Sequence, residues 1–405
     1  MRKTIALIAS LDTKEAEVSF MKEMIERLGY STLIIDVGAR GSSNTIPDIK
    51  SEEVAGAAGR DWLCSYSIPK SEMISGLAEG IAVLMPKLYE QGKFDAVLSI
   101  GGAQNTMIGV SAMKALPIGL PKLMVSTVAS GQRIFEPLVG TRDIVIMPSV
   151  ADLCGINKIT KRILSNAVAA ICGMAEHAGI PISPDGEFVI GATLMGVTND
   201  GVAQAVRILE EAGCQVVSFH STGVGGRAME EFILQGTIRA VIDLSLHEIT
   251  AEMFGGGFSV GAGNRLVAAC EAGIPQVIAP GGIDFIDYSV NELPEDINTR
   301  KYMFHNSEIA HIKLFRDEIV QVGEIIAERL NKSRGPVTMI IPLRGFRQST
   351  LPGEVLYDPE VDAALIEVLH KGLKPHIKVI DVDANINDLR FSQAAAEEML
   401  KLVRL

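Results

Sequence analysis

Short apolar runs alternate along this chain with longer stretches whose apolar positions recur every three or four residues. That is the pattern of buried parallel strands separated by amphipathic helices. Residues 5–9, 31–37, 94–100 and 123–126 read as strands, and 144–147 is strand-like; helices are predicted over about 15–28, 73–90, 105–115 and 161–177. Between them, residues 42–70 form a polar excursion with one helical piece at 51–59 and the single tryptophan, Trp62.

The pattern then begins again. Strands at 189–195, 216–220 and 238–242 and helices at 203–212 and 228–234 echo the first half, as Phe94-Asp95-Ala96-Val97-Leu98 is echoed by Ile238-Arg239-Ala240-Val241-Ile242. Strands at 277–279, 338–341 and 377–382, with helices near 310–330, 358–370 and 391–400, complete the chain. The reading is an α/β protein of two Rossmann-like, doubly wound, mostly parallel sheet domains, a duplication. Pro181-Ile182-Ser183-Pro184-Asp185-Gly186 is the linker, which sets the domains at 1–182 and 187–405.

Composition narrows the functional classes. A length of 405 residues suits two domains, and a net charge of -12 argues against a nucleic-acid-binding surface, which needs clustered Lys and Arg. The five cysteines are scattered, with no CxxC pair, so neither a disulfide framework nor a zinc knuckle is suggested and a cytoplasmic setting is expected. No apolar run approaches membrane-spanning length. A small molecule is the expected ligand.

In open parallel sheets, ligands sit outside the carboxyl ends of the strands, where strand order reverses. The first half places four small-polar turns there: Asp12-Thr13-Lys14, Gly38 to Arg40, Gly101 to Thr106, and Thr127 to Ser130 and Gly131. Gly101 and Gly102 would let the backbone turn tightly and direct amides at a ligand. Lys14 and Arg40 would neutralise phosphates, and Thr13, Ala103, Asn105, Thr106 and Thr127 would complete the pocket. A solvated first-turn lysine is the competing reading of Lys14, and neither a Walker pattern nor a complete G-x-G-x-x-G is present.

In the second half, His220-Ser221-Thr222-Gly223-Val224-Gly225-Gly226-Arg227 joins a strand to a helix. Its glycines would expose amides to a carboxylate or phosphate, aided by Ser221, Thr222 and Arg227; a tight packing turn is the alternative. His247-Glu248 is read as ending another strand, and Gly281, Gly282 and Asp284 as the rim of the same pocket. His220 is the leading acid–base candidate, with His247 and Glu248 beside it. The histidine spacing, including His305 and His311, does not demand a metal, and Arg344 after the strand 338–341 is a candidate anion clamp.

Several longer motifs occur in one order: Leu11-Asp12-Thr13-Lys14, Ile35-Asp36-Val37-Gly38, Val125 to Gly131, His220 to Glu230, Pro342-Leu343-Arg344-Gly345 and Ile386-Asn387-Asp388. In these the chain resembles, over nearly its full length, the two-domain ATP-binding family of the tomato mosaic virus resistance protein. The resemblance implies ATP binding in the N-terminal domain, Rossmann-like folds in both domains and a homodimer. The family's turn reads closer to G-G-S-G-G-T, where this chain has Gly101-Gly102-Ala103-Gln104-Asn105-Thr106.

The expectation is therefore an ATP-binding protein, with Mg2+ as the usual partner of the phosphates, extending to an ATP-using enzyme acting on a small carboxylated metabolite. The alternatives are a non-catalytic nucleotide-sensing or interaction module, and an ATP-independent isomerase, lyase or transferase of sugar or keto acids.

Overall fold

Alternation along the first strand sets the architecture of the N-terminal half. In a computed structural model, which describes residues 2–38, 43–60, 68–129, 136–178, 188–255, 259 and 261–403, Ile5, Leu7 and Ala9 face one buried cluster while Ala6 and Ile8 face another. A strand buried on both faces needs helices on both sides. The chain divides into two units, Met1–Ile182 and Ser183–Leu405.

The first unit runs β1 (Thr4–Ala9), α1 (Leu11–Arg27), β2 (Ser31–Asp36), α2 (Ser51–Gly56), α3 (Lys70–Glu90), β3 (Ala96–Gly101), α4 (Ala103–Lys114), β4 (Lys122–Ser126), α5 (Glu136–Val139), β5 (Val145–Pro148) and α6 (Lys158–His177). Its five strands are all parallel, in the order β2-β1-β3-β4-β5. Residues of α3 and α4 cover one face, and residues of α1 and α6 the other. The order reverses between β1 and β3, so the connections leave in opposite directions there and open a crevice.

The second unit repeats that winding. It runs β6 (Val189–Leu194), α7 (Asn199–Glu211), β7 (Gln215–His220), α8 (Val224–Leu234), β8 (Ile238–Asp243), α9 (His247–Phe254), α10 (Val267–Ala272), β9 (Gln276–Ile278), β10 (Phe285–Ser289), β11 (Tyr302–Phe304), β12 (Ile309–Lys313), α11 (Arg316–Leu330), β13 (Val337–Pro342), α12 (Pro359–Gly372), β14 (Lys378–Val382) and α13 (Leu389–Val403). The large parallel sheet has the order β14-β13-β9-β8-β6-β7, reversing between β6 and β8. Both units are thus Rossmann-like α/β layers, and the second adds one strand at its far edge.

Three local readings change. The helix expected from 310 splits, because Ile309–Lys313 pairs antiparallel with β10 and β11 in a separate three-stranded sheet, and the helix starts only at Arg316. His247 and Glu248 open helix α9 instead of ending a strand. Asp12, Thr13 and Lys14 lie in the first turn of α1, where Lys14 has a non-helical backbone (φ -128°, ψ 20°). The linker candidate 181–186 and Trp62 lie outside the described residues.

The Ile386-Asn387-Asp388 motif has a packing role. Asn387 Nδ2 donates to the Val197 carbonyl at 2.9 Å, and its Oδ1 accepts from the Gly201 amide at 3.1 Å, which stitches the approach to α13 onto the start of α7. A Cβ at Gly201 would stand 2.1 Å from the Ile386 carbonyl oxygen. Gly201→Ala is therefore expected to lower unfolding free energy by about 1–3 kcal/mol, read as a reduced guanidinium midpoint with an unchanged slope.

Candidate functional site

The crevice between β1 and β3 holds a cavity of about 500 Å³, lined by Ser10, Asp12, Thr13 and Lys14 from the β1 end, Gly102, Ala103, Gln104 and Asn105 from the β3 end, and Lys70, Ile74 and Leu77 from α3. The sequence draws the first two groups together because both follow central strands. Lys70 belongs to neither motif, and its only sequence signal is its place just after Pro69 at a helix start.

Glycine is required at the second turn, since a Cβ at Gly101 would fall 2.2 Å from Asn105 Cβ. Gly102 is the N-cap of α4, and no side chain caps this helix. The first-turn residues line the cavity and their amides have no side-chain cap, which makes this a favourable place for negative charge. The Ser10 hydroxyl donates to Asn105 Oδ1 at 2.6 Å and ties the two strand ends together.

Other first-half candidates are committed elsewhere. Thr106 is buried with its hydroxyl against Ser126 Oγ at 2.7 Å. The Thr127 amide donates to the Gly101 carbonyl at 3.1 Å, continuing the pairing of β3 and β4. Lys14 lines the cavity while its Nζ donates to the Leu153 carbonyl. Gly38 donates its amide to Asp36 Oδ1 at 2.8 Å, and the same oxygen accepts from the Leu11 amide at 2.9 Å. Burial pushes the Asp36 carboxyl above its ordinary range, against those two hydrogen bonds. Arg40, Ser130 and Gly131 lie outside the described residues.

The glycine-rich turn of the second unit already holds an anion, and it is the chain's own. The amides of Gly223 and Gly226 donate to Glu248 Oε1 at 2.6 and 3.0 Å, and Ser221 Oγ lies 3.4 Å from Oε2. Arg265 Nε completes the set with a 2.6 Å bond to Glu248 Oε2. A Cβ at Gly226 would meet that oxygen at 2.0 Å, and one at Gly225 would meet the His220 carbonyl at 2.2 Å. Thr222 Oγ1 pairs with Nδ1 of His220 at 3.2 Å, and His220 itself is exposed.

Sequence reasoning missed Arg265. Fully buried, it also bonds Glu230 at 2.9 Å and both oxygens of Asp243 at 2.9 and 2.8 Å. A lone arginine before an apolar helix carries no signal of this; the sign in the sequence would have been the buried acids that need a cation.

His247 does not join His220. Its Nδ1 lies 2.8 Å from the Gly282 carbonyl, and its ring stacks on Phe285 with centroids 4.4 Å apart. His311 tilts against the same phenyl at 4.5 Å and stacks on His305 at 4.5 Å. Asp284 is buried and bonds Lys313 at 2.7 Å. Gly281 leaves no room for a side chain, a Cβ there standing 2.0 Å from the Leu244 carbonyl. Arg344 is exposed and clamps Asp383 at 2.7 and 2.8 Å. Among the described residues no group of three or more His, Cys, Asp and Glu is arranged to hold a metal, and no helix is long and apolar enough to cross a membrane.

Residues 3–179 match the model of the Uncharacterised protein family (UPF0261) N-terminal domain, and residues 187–403 match that of its C-terminal domain. The chain belongs to the UPF0261 family. A UPF0261 protein of Clostridium tetani is 36% identical over 100% of both chains, and one of Mesorhizobium japonicum is 35% identical over 97% of this chain and 98% of the relative. The ToMV resistance protein Tm-1(GCR237) of Solanum lycopersicum is 30% identical over 98% of this chain and 55% of the tomato protein. Among solved structures, a UDP-N-acetylglucosamine 2-epimerase from Rickettsia bellii covers 100% of this family member and 96% of its own chain, at 11% identity and a TM-score of 0.25.

Two outcomes test the buried groups. Arg265→Leu leaves three carboxylates facing one another and is expected to cost about 3–5 kcal/mol, measured by chemical denaturation. Burial, with the Arg347 charge beside it, pushes His311 down to about 3 from 6.5. The unfolded chain therefore binds the proton that the folded chain refuses, so stability climbs as pH rises from about 3 to 6.5 and levels above that. In His311→Gln the climb is expected to be shallower by up to about 1.4 kcal/mol per pH unit, measured by urea titrations across that range.

Proposed function

We propose that this chain binds ATP, with the phosphates in the N-terminal crevice between β1 and β3. The observation that carries the reading is the uncapped start of α4 opening onto a cavity lined by Lys70 and Thr13, with Lys14 beside it turned to the Leu153 carbonyl. Helix-terminal amides and ammonium groups together suit a polyanion. The cavity lies at the point of strand-order reversal, the usual ligand position in this architecture. ATP is the nucleotide implied by the family resemblance. Mg2+ would arrive with the phosphates, keeping several waters as it usually does, and Asp12 is the carboxylate lining the cavity.

In its fuller form the reading is a cytoplasmic homodimeric enzyme that uses ATP on a small carboxylated metabolite. The metabolite would not take the amides of Gly223 and Gly226, because Glu248 already accepts from them.

Calorimetric titration of the full chain with Mg-ATP tests the proposal. Binding is expected, with Lys70→Ala and Thr13→Ala each weakening it about tenfold, the worth of one hydrogen bond to a charged group. No heat and no thermal shift at millimolar nucleotide would overturn it.

A further inference from the structure

We propose that the C-terminal unit carries a second ligand site, a buried subsite in which the Nε/Nη2 edge of Arg347 holds a carboxylate or phosphate group. Arg347 follows β13 by way of Gly345, whose φ of +113° suits glycine and where a Cβ would meet Thr350 Oγ1 at 2.8 Å. Its carbonyl accepts from Thr350 Oγ1 at 3.0 Å and from Asn385 Nδ2 at 3.1 Å, so the backbone is clamped on two sides. The guanidinium lies over the Phe285 ring at 4.1 Å and is fully buried.

Only one end of that guanidinium is used. Nη1 lies 3.4 Å from His311 Nδ1, while Nε and Nη2 have no hydrogen-bond partner among the described residues. These two nitrogens form the side-on fork of an arginine, two parallel N–H groups spaced to match the oxygens of a carboxylate or phosphate. Asp284 Oδ1 comes within 3.3 Å of Nε but makes no hydrogen bond. The other Asp284 oxygen is engaged by Lys313, whose Nζ also bonds Asp362 at 2.8 Å. Lys313 thus takes one oxygen of the neighbouring carboxylate, while the other stays ion-paired with Nε without a hydrogen bond, so Nη2 is the fully unpartnered donor of the fork and Nε the weakly held one. A buried polar group without a partner is costly and calls for an occupant.

Its surroundings support a ligand instead of a packing accident. Phe285 forms a small apolar cluster with Met195 and Val197, which follow β6, separate from the unit's two main cores. Gly282, with φ of +66°, brings the end of β9 close to Val197 and His247. The cluster therefore gathers residues following β6, β8, β9 and β13, the carboxyl end of the parallel sheet at its reversal point. His247 stands beside the same ring and, as the neutral imidazole, offers an acceptor suited to a hydroxyl of the ligand and not to its anionic group. Its Nδ1 must donate to Gly282, since a carbonyl only accepts, and its Nε2 has no hydrogen bond, with Asp287 Oδ1 3.5 Å away. Arg344, three residues from Arg347, is the contrast: it is exposed, and Asp383 fills its Nε/Nη2 edge. The ligand class is a small organic acid or phosphate ester.

The test uses the full chain and two probes, inorganic phosphate and succinate, by calorimetry. At least one is expected to bind, with Arg347→Lys, which keeps the charge and loses the fork, weakening it at least tenfold while Mg-ATP affinity changes less than twofold. Absence of binding for both probes, or equal affinity in the variant, overturns the proposal. Should Arg347→Lys not fold, crystals of the wild-type chain soaked in tungstate decide: anomalous density within hydrogen-bond distance of Nε and Nη2 supports the site, and density confined elsewhere overturns it. Failure of ATP to bind would not touch either result.

Discussion

The C-terminal unit is arranged around the buried guanidinium of Arg265. Arg265 meets Glu230, Asp243 and Glu248 where none of the four groups reaches solvent. One cation cannot neutralise three carboxylates, so the remaining lone pairs turn to other donors: the amides of Gly223 and Gly226 on Glu248, those of Leu266 and Ala268 on Glu230, and the Thr193 hydroxyl on Asp243. A fully satisfied network of this kind fixes direction as well as energy. It sets the start of α9, the turn before α8 and the approach to α10, where Leu266 takes a left-handed φ of 70° and donates its amide to Glu230. His247, next to Glu248, inherits its orientation from that anchor.

The same winding, used twice, gives different chemistry at the two reversal points. In the first unit the crevice is open, and its floor is an uncapped helix start. In the second, the corresponding ground is packed with aromatic, imidazole and charged side chains supplied partly by the inserted antiparallel sheet, through Phe285, His311 and Lys313. An open crevice leaves backbone amides and a lysine facing solvent-accessible space. A filled one can take a group only where its own donors lack partners.

Much of this was legible in the chain, because buried parallel strands and amphipathic helices leave strong periodicities. The two units, the strand ends and the glycine turns follow from that signal. What was not legible depends on contacts between distant segments. Tyr302–Phe304 has too few residues to display alternation, and the five-residue strands β10 and β12 have their apolar runs interrupted by Asp287 and His311, so neither stands out as a strand. The anion for Gly223 and Gly226 comes from a residue more than twenty positions away. Between Arg344 and Arg347 the choice rests on the Gly345 turn, which sends one side chain to the surface and the other beneath it. Composition alone ranks the two equally.

Glu248 gives the glycine-rich turn a further meaning. Because the carboxylate is tethered and held in place by Arg265, it acts as an intramolecular ligand whose effective concentration at those amides far exceeds that of any dissolved metabolite. The turn is self-saturated. A sequence that advertises an anion cradle can thus encode its own permanent occupant, and the cradle then serves as a latch joining two helices instead of a receptor.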